Sequence, residues 1–194
     1  MKQSLSMSRA AVIVAALFVV AIPALAQQGE SFGPNYDITL QVVVGSGGPA
    51  ESALPKELGP LSRTLRARFP YANYRLANTF LGRVGENGSL EYKSVDSFKS
   101  TDAPMFLDWS IVSFNASSAV GSGSAYHAKS FRFGARVPVR TVGGPAAAVS
   151  YESIGLTFNQ VGMASDTPTL LGTLTLPQTE GTMFLIVTVK RSEL

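Results

Sequence analysis

The alternation of apolar and polar positions predicts that most of this chain forms β-strands. The clearest case is residues 130–140, where apolar side chains occupy every second position: Phe131, Phe133, Ala135, Val137 and Val139. Such alternation is typical of a strand with one face toward a core and the other toward solvent. A second strand of this kind covers residues 36–44. The same reasoning predicts further strands at 71–84, 90–95, 105–115, 151–163, 169–176 and 182–190.

One segment has helical spacing instead. Its apolar residues recur every three or four positions: Leu54, Leu58, Leu61, Leu65 and Phe69. This stripe predicts an amphipathic helix. Pro60 falls inside it and would remove a backbone hydrogen bond, so either the helix kinks there or Gly59 caps a shorter helix that begins at Pro60. Pro70 ends the helix in both cases.

Two turn signals indicate hairpins. Asn87-Gly88 lies between extended runs, and both residues tolerate positive φ, so we expect 71–84 and 90–95 to pair. A five-residue loop at 177–181 would join the last two strands. Met183 to Val189 is apolar on both faces, which predicts a central strand.

These elements predict a mainly β (α+β) fold. We expect a single-domain antiparallel β-sandwich, or a partly open barrel, of about eight strands with one amphipathic helix after the first strand. No repeat or long linker divides residues 36–194, and 27–35 are a flexible lead-in. Pro138 lies on the polar side of the 130–140 strand, which favours a place at a sheet edge.

The first 26 residues have the pattern of a cleavable secretory signal. Lys2 and Arg9 precede an uncharged apolar run of 13 residues, 10–22, and Ala24-Leu25-Ala26 offers the small residues that a signal peptidase requires. The run is shorter than the roughly 20 residues of a membrane-spanning helix. We therefore expect a secreted or periplasmic protein, of a bacterial type, with no transmembrane segment after signal cleavage.

Composition narrows the possible chemistry. Of 16 Lys and Arg residues, Lys2 and Arg9 leave with the signal, so 14 remain against 13 Asp and Glu, and a uniformly basic surface for nucleic acid is not expected. The chain has no cysteine, which excludes a lipid-anchor cysteine, thiol catalysis and zinc–cysteine sites. His127 is the only histidine and lies in a strand where a solvated side chain is expected. We expect neither a metal nor a cofactor.

A glycine-rich segment resembles a nucleotide-binding loop only in its letters. Residues 45–50 follow a strand and fit the form G-x-G-x-x-A, but Pro49 removes an amide and no parallel β-α-β series continues. We interpret the segment as a turn.

Local basicity provides the leading hypothesis for function. Three arginines share the polar side of the helix: Arg63, Arg66 and Arg68. Three more share the polar face of the 130–140 strand: Arg132, Arg136 and Arg140. Like charges repel on one strand face, so such a row either contacts an anionic partner or is a solvated face that prevents pairing with another strand edge. In the first case the chain is a non-enzymatic domain that binds a protein or another anionic component of the envelope, with the predicted edge strand free to accept a partner strand.

Two alternatives remain open at this stage. A carrier of small apolar ligands would line its cavity with aromatic residues: Phe106, Trp109, Phe114, Phe131 and Phe133. A hydrolase of envelope sugars would need two nearby carboxylates, and Asp108 and Glu152 are the candidates because each interrupts an apolar strand. No motif set identifies a family.

Overall fold

A computed structural model of the chain describes residues 33–48, 54–96, 103–116, 125–140, 149–177 and 181–192. The predicted signal peptide and most of the lead-in lie outside them. The described residues all fall in one compact unit that begins at Gly33. Its strands are β1 (Asn35–Ser46), β2 (Asn73–Gly85), β3 (Leu90–Asp96), β4 (Met105–Ala116), β5 (Tyr126–Arg140), β6 (Val149–Met163), β7 (Thr169–Thr175) and β8 (Gly181–Arg191).

The strands form two antiparallel sheets of four strands each. The first sheet has the order β2-β1-β8-β7, and the second has the order β3-β4-β5-β6. The sheets are not closed into a barrel. The predicted mainly β fold of about eight antiparallel strands is confirmed, and the sandwich is the correct one of the two predicted forms.

The core lies between the inner faces of the two sheets. The first sheet contributes side chains such as Ile38 and Leu40, which are fully buried. The second contributes Trp109, Phe131 and Phe133, which contact them in one cluster. The alternation predicted for residues 130–140 is therefore confirmed on its core-facing side.

The predicted helix covers the outer face of the first sheet. A 3-10 turn (Lys56–Leu58) leads into α1 (Gly59–Arg68), with Pro60 in its first turn, where the missing amide costs no helical bond. The shorter helix is the correct alternative, but Gly59 is its first residue and Leu58 occupies the cap position that was predicted for Gly59. Its apolar stripe packs on a second cluster in the sheet, formed by side chains that point away from the main core: Val43, Tyr74, Phe184 and Ile186.

Burial on both faces explains β8. Residues 183–187 are all fully buried, alternately against the main core and against the helix cluster. The prediction of a central strand is confirmed, since β8 lies between β1 and β7. The predicted hairpin between β7 and β8 is also present, with the Leu176 amide donating to the carbonyl of Gly181 at 3.0 Å.

The predicted edge position of the arginine strand is wrong. β5 is an inner strand, paired with β4 on one side and β6 on the other. Pro138 is tolerated because the β4 ladder ends at the pair Phe106–Arg136, so only β6 borders β5 at that level. The proline therefore lies beyond the end of β4, and β5 has a neighbour on both sides only up to Arg136.

The predicted pairing of 71–84 with 90–95 is also wrong. Asn87 does form the turn, with φ 60°, but β2 belongs to the first sheet and β3 to the second. The turn carries the chain from one layer to the other. The Asn87 amide donates to the carbonyl of Phe114 on β4 at 2.7 Å, and the Phe114 amide donates to the carbonyl of Gly88 at 2.9 Å. The turn is thus fixed on β4, the partner of β3.

One extra residue in each of β4, β5 and β6 reverses which side chains face the core partway along the second sheet. In β4 the buried residues are odd-numbered up to Ile111, and the next buried residue is Phe114. The buried positions of β5 and β6 change from odd to even, or from even to odd, at the same level. Ser113 and Gln160 have φ of 50° and 56° there, on either side of Lys129. Each strand carries one extra residue, so the pairing register is kept while the alternation reverses.

Among the described residues, no helix is long and apolar enough to span a membrane.

Candidate functional site

An open groove of about 520 Å³ lies on the outer face of the second sheet, over β4, β5 and β6. The helix covers the corresponding face of the first sheet, so this is the face of the sandwich that α1 leaves uncovered. Five polar side chains line the groove: Asp108, Arg132, Arg136, Ser153 and Thr157. A volume of this size falls within the range of roughly 300–1,000 Å³ that is usual for ligand sites.

The floor of the groove is a row of two glycines. Asp108, Gly134 and Gly155 are cross-strand partners on β4, β5 and β6, so they share the outer face. A Cβ atom at Gly134 would lie 2.7 Å from Oδ1 of Asp108, and one at Gly155 would lie 2.7 Å from the carbonyl oxygen of Phe133. A larger residue would need something to move at either position. The Asp108 carboxylate therefore covers Gly134, and the backbone is exposed at Gly155.

Two arginines flank this floor along β5. Arg132 and Arg136 are each two residues from Gly134, and both are exposed on the same face. Their Cα atoms are roughly 13 Å apart, given the rise of a β-strand. The groove thus has one guanidinium toward each end, and the Asp108 carboxylate lies over Gly134 between them.

Aromatic contacts hold one of these arginines. The guanidinium carbon of Arg136 lies 4.7 Å from the ring centroid of Phe106, and this ring meets Tyr151 edge-on at 5.5 Å. Cation–π contacts at exposed sites contribute about 0.5–1 kcal/mol. The Arg136 head group is therefore already oriented beside the groove, with 42% of Tyr151 left exposed next to it.

The charges of the groove are not neutralised by one another. In the part of the chain that the structure describes, Asp108 forms no ion pair with Arg132 or Arg136. Lys93 is the cross-strand neighbour of Asp108 on β3, and it pairs with Glu91 at 3.0 Å instead. Two cationic heads and one half-buried carboxylate thus remain free to contact a ligand.

The other predicted arginines lie elsewhere. Arg140 is the last residue of β5, and its side chain lies outside the described part of the structure. Arg63 and Arg66 are exposed on α1, which lies on the opposite outer face of the sandwich. Arg66 lies 5.9 Å from the ring centroid of Tyr74. The two basic surfaces predicted from the sequence are therefore separate surfaces.

The structure does not bring the two predicted acids together. Asp108 lies on the outer face in one row with Gly134, whereas Glu152 is paired with Val137, a core-facing position of β5. Cross-strand partners point to the same face, so the two carboxylates are on opposite faces of the sheet. This geometry gives no support to hydrolysis by this pair.

The aromatic residues predicted to line an apolar cavity are divided. Four of them are buried in the core that joins the sheets: Trp109, Phe114, Phe131 and Phe133. Their rings pack on neighbouring rings, such as Tyr36 on Phe114 at 5.2 Å. Phe106 lies on the outer face beside the groove. These contacts are those of a packed core and give no support to a carrier.

Sequence reasoning missed much of the groove. Gly134 interrupts the alternation of β5 as a small residue, and glycine inside a strand often marks a close approach of ligand or backbone. The glycine at position 134 could therefore have indicated a close approach from the sequence alone. The alignment of Gly155 with it, and the position of Tyr151 beside Phe106, depend on the register of β5 and β6 and could not be deduced from the sequence.

The described residues contain no group of three or more His, Asp or Glu side chains that could hold a metal ion. His127 is exposed on β5, outside the groove. Comparisons with protein-family models, with curated proteins and with solved structures gave no match.

Proposed function

We propose that the chain is an exported, non-enzymatic binding domain that holds an anionic group of its partner in the groove on the second sheet. The observation that carries this proposal is the pair Arg132 and Arg136, whose charges line the same open groove and have no ion-pair partner among the described residues. Arginine donates up to five hydrogen bonds and suits the planar recognition of carboxylate and phosphate.

The inner position of β5 determines how a partner would bind. Because β4 and β6 border β5 at Arg132 and Arg136, no strand can be added there, and these arginines would contact a ligand through the face of the sheet. The ligand would therefore lie across β4, β5 and β6. Specificity would come from side chains and not from a backbone ladder.

Binding of small anionic probes to matched variants tests the proposal. The probes are tetragalacturonate, tetraglutamate and tripolyphosphate, measured by calorimetry against the mature domain. We expect at least one to bind, and Arg132→Ser with Arg136→Ser to weaken it at least about tenfold per arginine, as for charge-assisted hydrogen bonds.

The control carries the same loss of charge on the other face. Arg63→Ser with Arg68→Ser removes two exposed arginines of α1 and should leave the affinity within about twofold, because charges beyond a Debye length of about 8 Å are screened. If both double variants lose affinity equally, or if no probe binds, the groove is not the site.

Export is tested separately. The pattern of the first 26 residues predicts a mature chain that begins at Gln27. Intact mass of the protein recovered from the periplasm or medium of an expressing bacterium should match residues 27–194. Recovery of the full-length mass from the cytoplasm alone would contradict this part of the proposal.

A further inference from the structure

We infer that the ligand of the groove is an extended acidic glycan, a chain of sugar rings that carry carboxylates. This inference rests on the proposed function, namely that the groove binds an anion, and it adds the chemical class. It depends on one juxtaposition: the Asp108 carboxylate, which has no ion-pair partner, lies over Gly134 between Arg132 and Arg136 and beside the exposed backbone of Gly155.

The carboxylate distinguishes a glycan from a simple polyanion. Ionised Asp108 can only accept hydrogen bonds, so it needs O–H or N–H donors from the ligand. Polyphosphate offers only further negative charge and would be repelled at the centre of the groove. A uronic acid has both kinds of group, because its carboxylate suits the arginines and its hydroxyls can donate to Asp108.

The exposed backbone at Gly155 allows a sugar ring to approach the sheet closely. Glycine inside a strand allows a ligand to approach the backbone closely, and here two glycines are adjacent on neighbouring strands. Ser153 and Thr157 place hydroxyls on either side of Gly155, on the same exposed face. Tyr151 and Phe106 add apolar surface at one end, against which the C–H face of a sugar ring can be removed from water.

An acidic peptide fits the groove less well. Extended peptides gain affinity from backbone hydrogen bonds at an open sheet edge. The groove lies over β5, whose amides and carbonyls are engaged by β4 and β6. A peptide on this face would keep the arginine contacts and would lack the ladder.

Calorimetry with three tetramers tests the inference. Tetragalacturonate is both acidic and hydroxylated, maltotetraose is hydroxylated only, and tetraglutamate is acidic and has amide donors but neither hydroxyls nor sugar rings. We expect tetragalacturonate to bind at least about tenfold more tightly than either of the others, since maltotetraose lacks the carboxylates for the arginines and tetraglutamate lacks ring hydroxyls placed to donate to Asp108.

The outcomes separate this inference from the proposed function. If tetraglutamate binds as tightly as tetragalacturonate, and both depend on Arg132 and Arg136, the glycan inference is wrong and the anion-binding groove stands. If maltotetraose binds as well as tetragalacturonate, the acidic requirement is wrong. If no acidic probe binds, both proposals are wrong.

The direction in which Asp108→Asn changes the affinity distinguishes a glycan site from a site for a plain polyanion. The variant should weaken tetragalacturonate about tenfold because an ionised acceptor is lost. A site for a plain polyanion would instead bind more tightly after a repelling charge is removed. Unchanged or tighter binding of tetragalacturonate by Asp108→Asn overturns the inference.

Gly134→Ala is the second variant and keeps the charge of Asp108. The new Cβ would lie 2.7 Å from Oδ1 of Asp108, a side-chain end that can rotate away. We expect a folded protein, checked by circular dichroism, that binds tetragalacturonate at least about tenfold more weakly because the carboxylate is displaced and the floor is raised. Unchanged affinity in this folded variant contradicts the assigned floor.

Discussion

The helix is predicted to be an integral layer of the domain, and Leu65 tests this. Its side chain is fully buried between α1 and the first sheet, in a cluster with Val43, Tyr74 and Phe184. Replacing a buried leucine by alanine costs about 2–5 kcal/mol, depending on how far the surroundings collapse. A helix with one solvent face can move toward the sheet, so we expect Leu65→Ala to cost about 3 kcal/mol.

Urea denaturation measures this loss. Trp109 is the only tryptophan, is 1% exposed and stacks on Tyr92 at 6.0 Å, so its fluorescence reports the core between the sheets. With a slope of roughly 2 kcal/mol per molar urea, the midpoint should fall by about 1.5 M. Since the probe lies on the far side of the first sheet from α1, such a shift shows that the helix and the core unfold as one unit.

The matched control lies on the same helix. Leu61 is only half-buried, so Leu61→Ala should cost about 1 kcal/mol, in proportion to the smaller apolar area it removes from water. A loss below about 1 kcal/mol for Leu65→Ala would refute the packing argument. So would a change in helical circular dichroism that precedes the change in Trp109 fluorescence, because the helix would then unfold independently of the sandwich.

Further predictions concern alkaline pH and backbone strain. Burial raises the pKa of Tyr74 above its ordinary value of 10.0, although nearby Arg66 acts in the opposite direction. Above pH 10 the unfolded chain therefore loses this proton while the folded chain keeps it, so stability falls as pH rises through the folded pKa. Tyr74→Phe should lose about 1 kcal/mol at pH 7, because the hydrogen bond from the Tyr74 hydroxyl to the Leu65 carbonyl is removed. As the pH rises above 10, this variant should lose less stability than the wild type; an identical alkaline slope contradicts this. Gln160→Gly should raise the free energy of unfolding by about 0.5 kcal/mol, because relief of the left-handed φ exceeds the entropy cost of glycine. A loss of more than 1 kcal/mol in thermal or urea unfolding would show that Gln160 does not have this backbone conformation.

The fold was largely predictable because apolar spacing specifies which faces are buried. The stripe through Leu58 and Leu65 predicted the helix, and the two-sided apolar run 183–189 predicted the inner strand β8. The pairing of strands was less predictable. A turn such as Asn87-Gly88 fixes a reversal of the chain, but core packing decides whether the two arms pair or enter different sheets.

The site was predictable only in part, for a related reason. Alternation placed Arg132 and Arg136 on the outer face of β5, and the structure agrees. The row of Asp108, Gly134 and Gly155 arises from the register of three strands, which is a tertiary property. Local propensity at Pro138 indicated an edge, but it reflected only the shorter length of β4.

The most direct measurement is an amide chemical-shift titration of the isotopically labelled mature domain with tetragalacturonate. We predict that the largest changes in amide chemical shift fall on Asp108, on residues 132–136 of β5 and on residues 153–157 of β6. Shifts concentrated on Arg63 and Arg66 of α1, or spread evenly over the surface, would contradict a site in the groove.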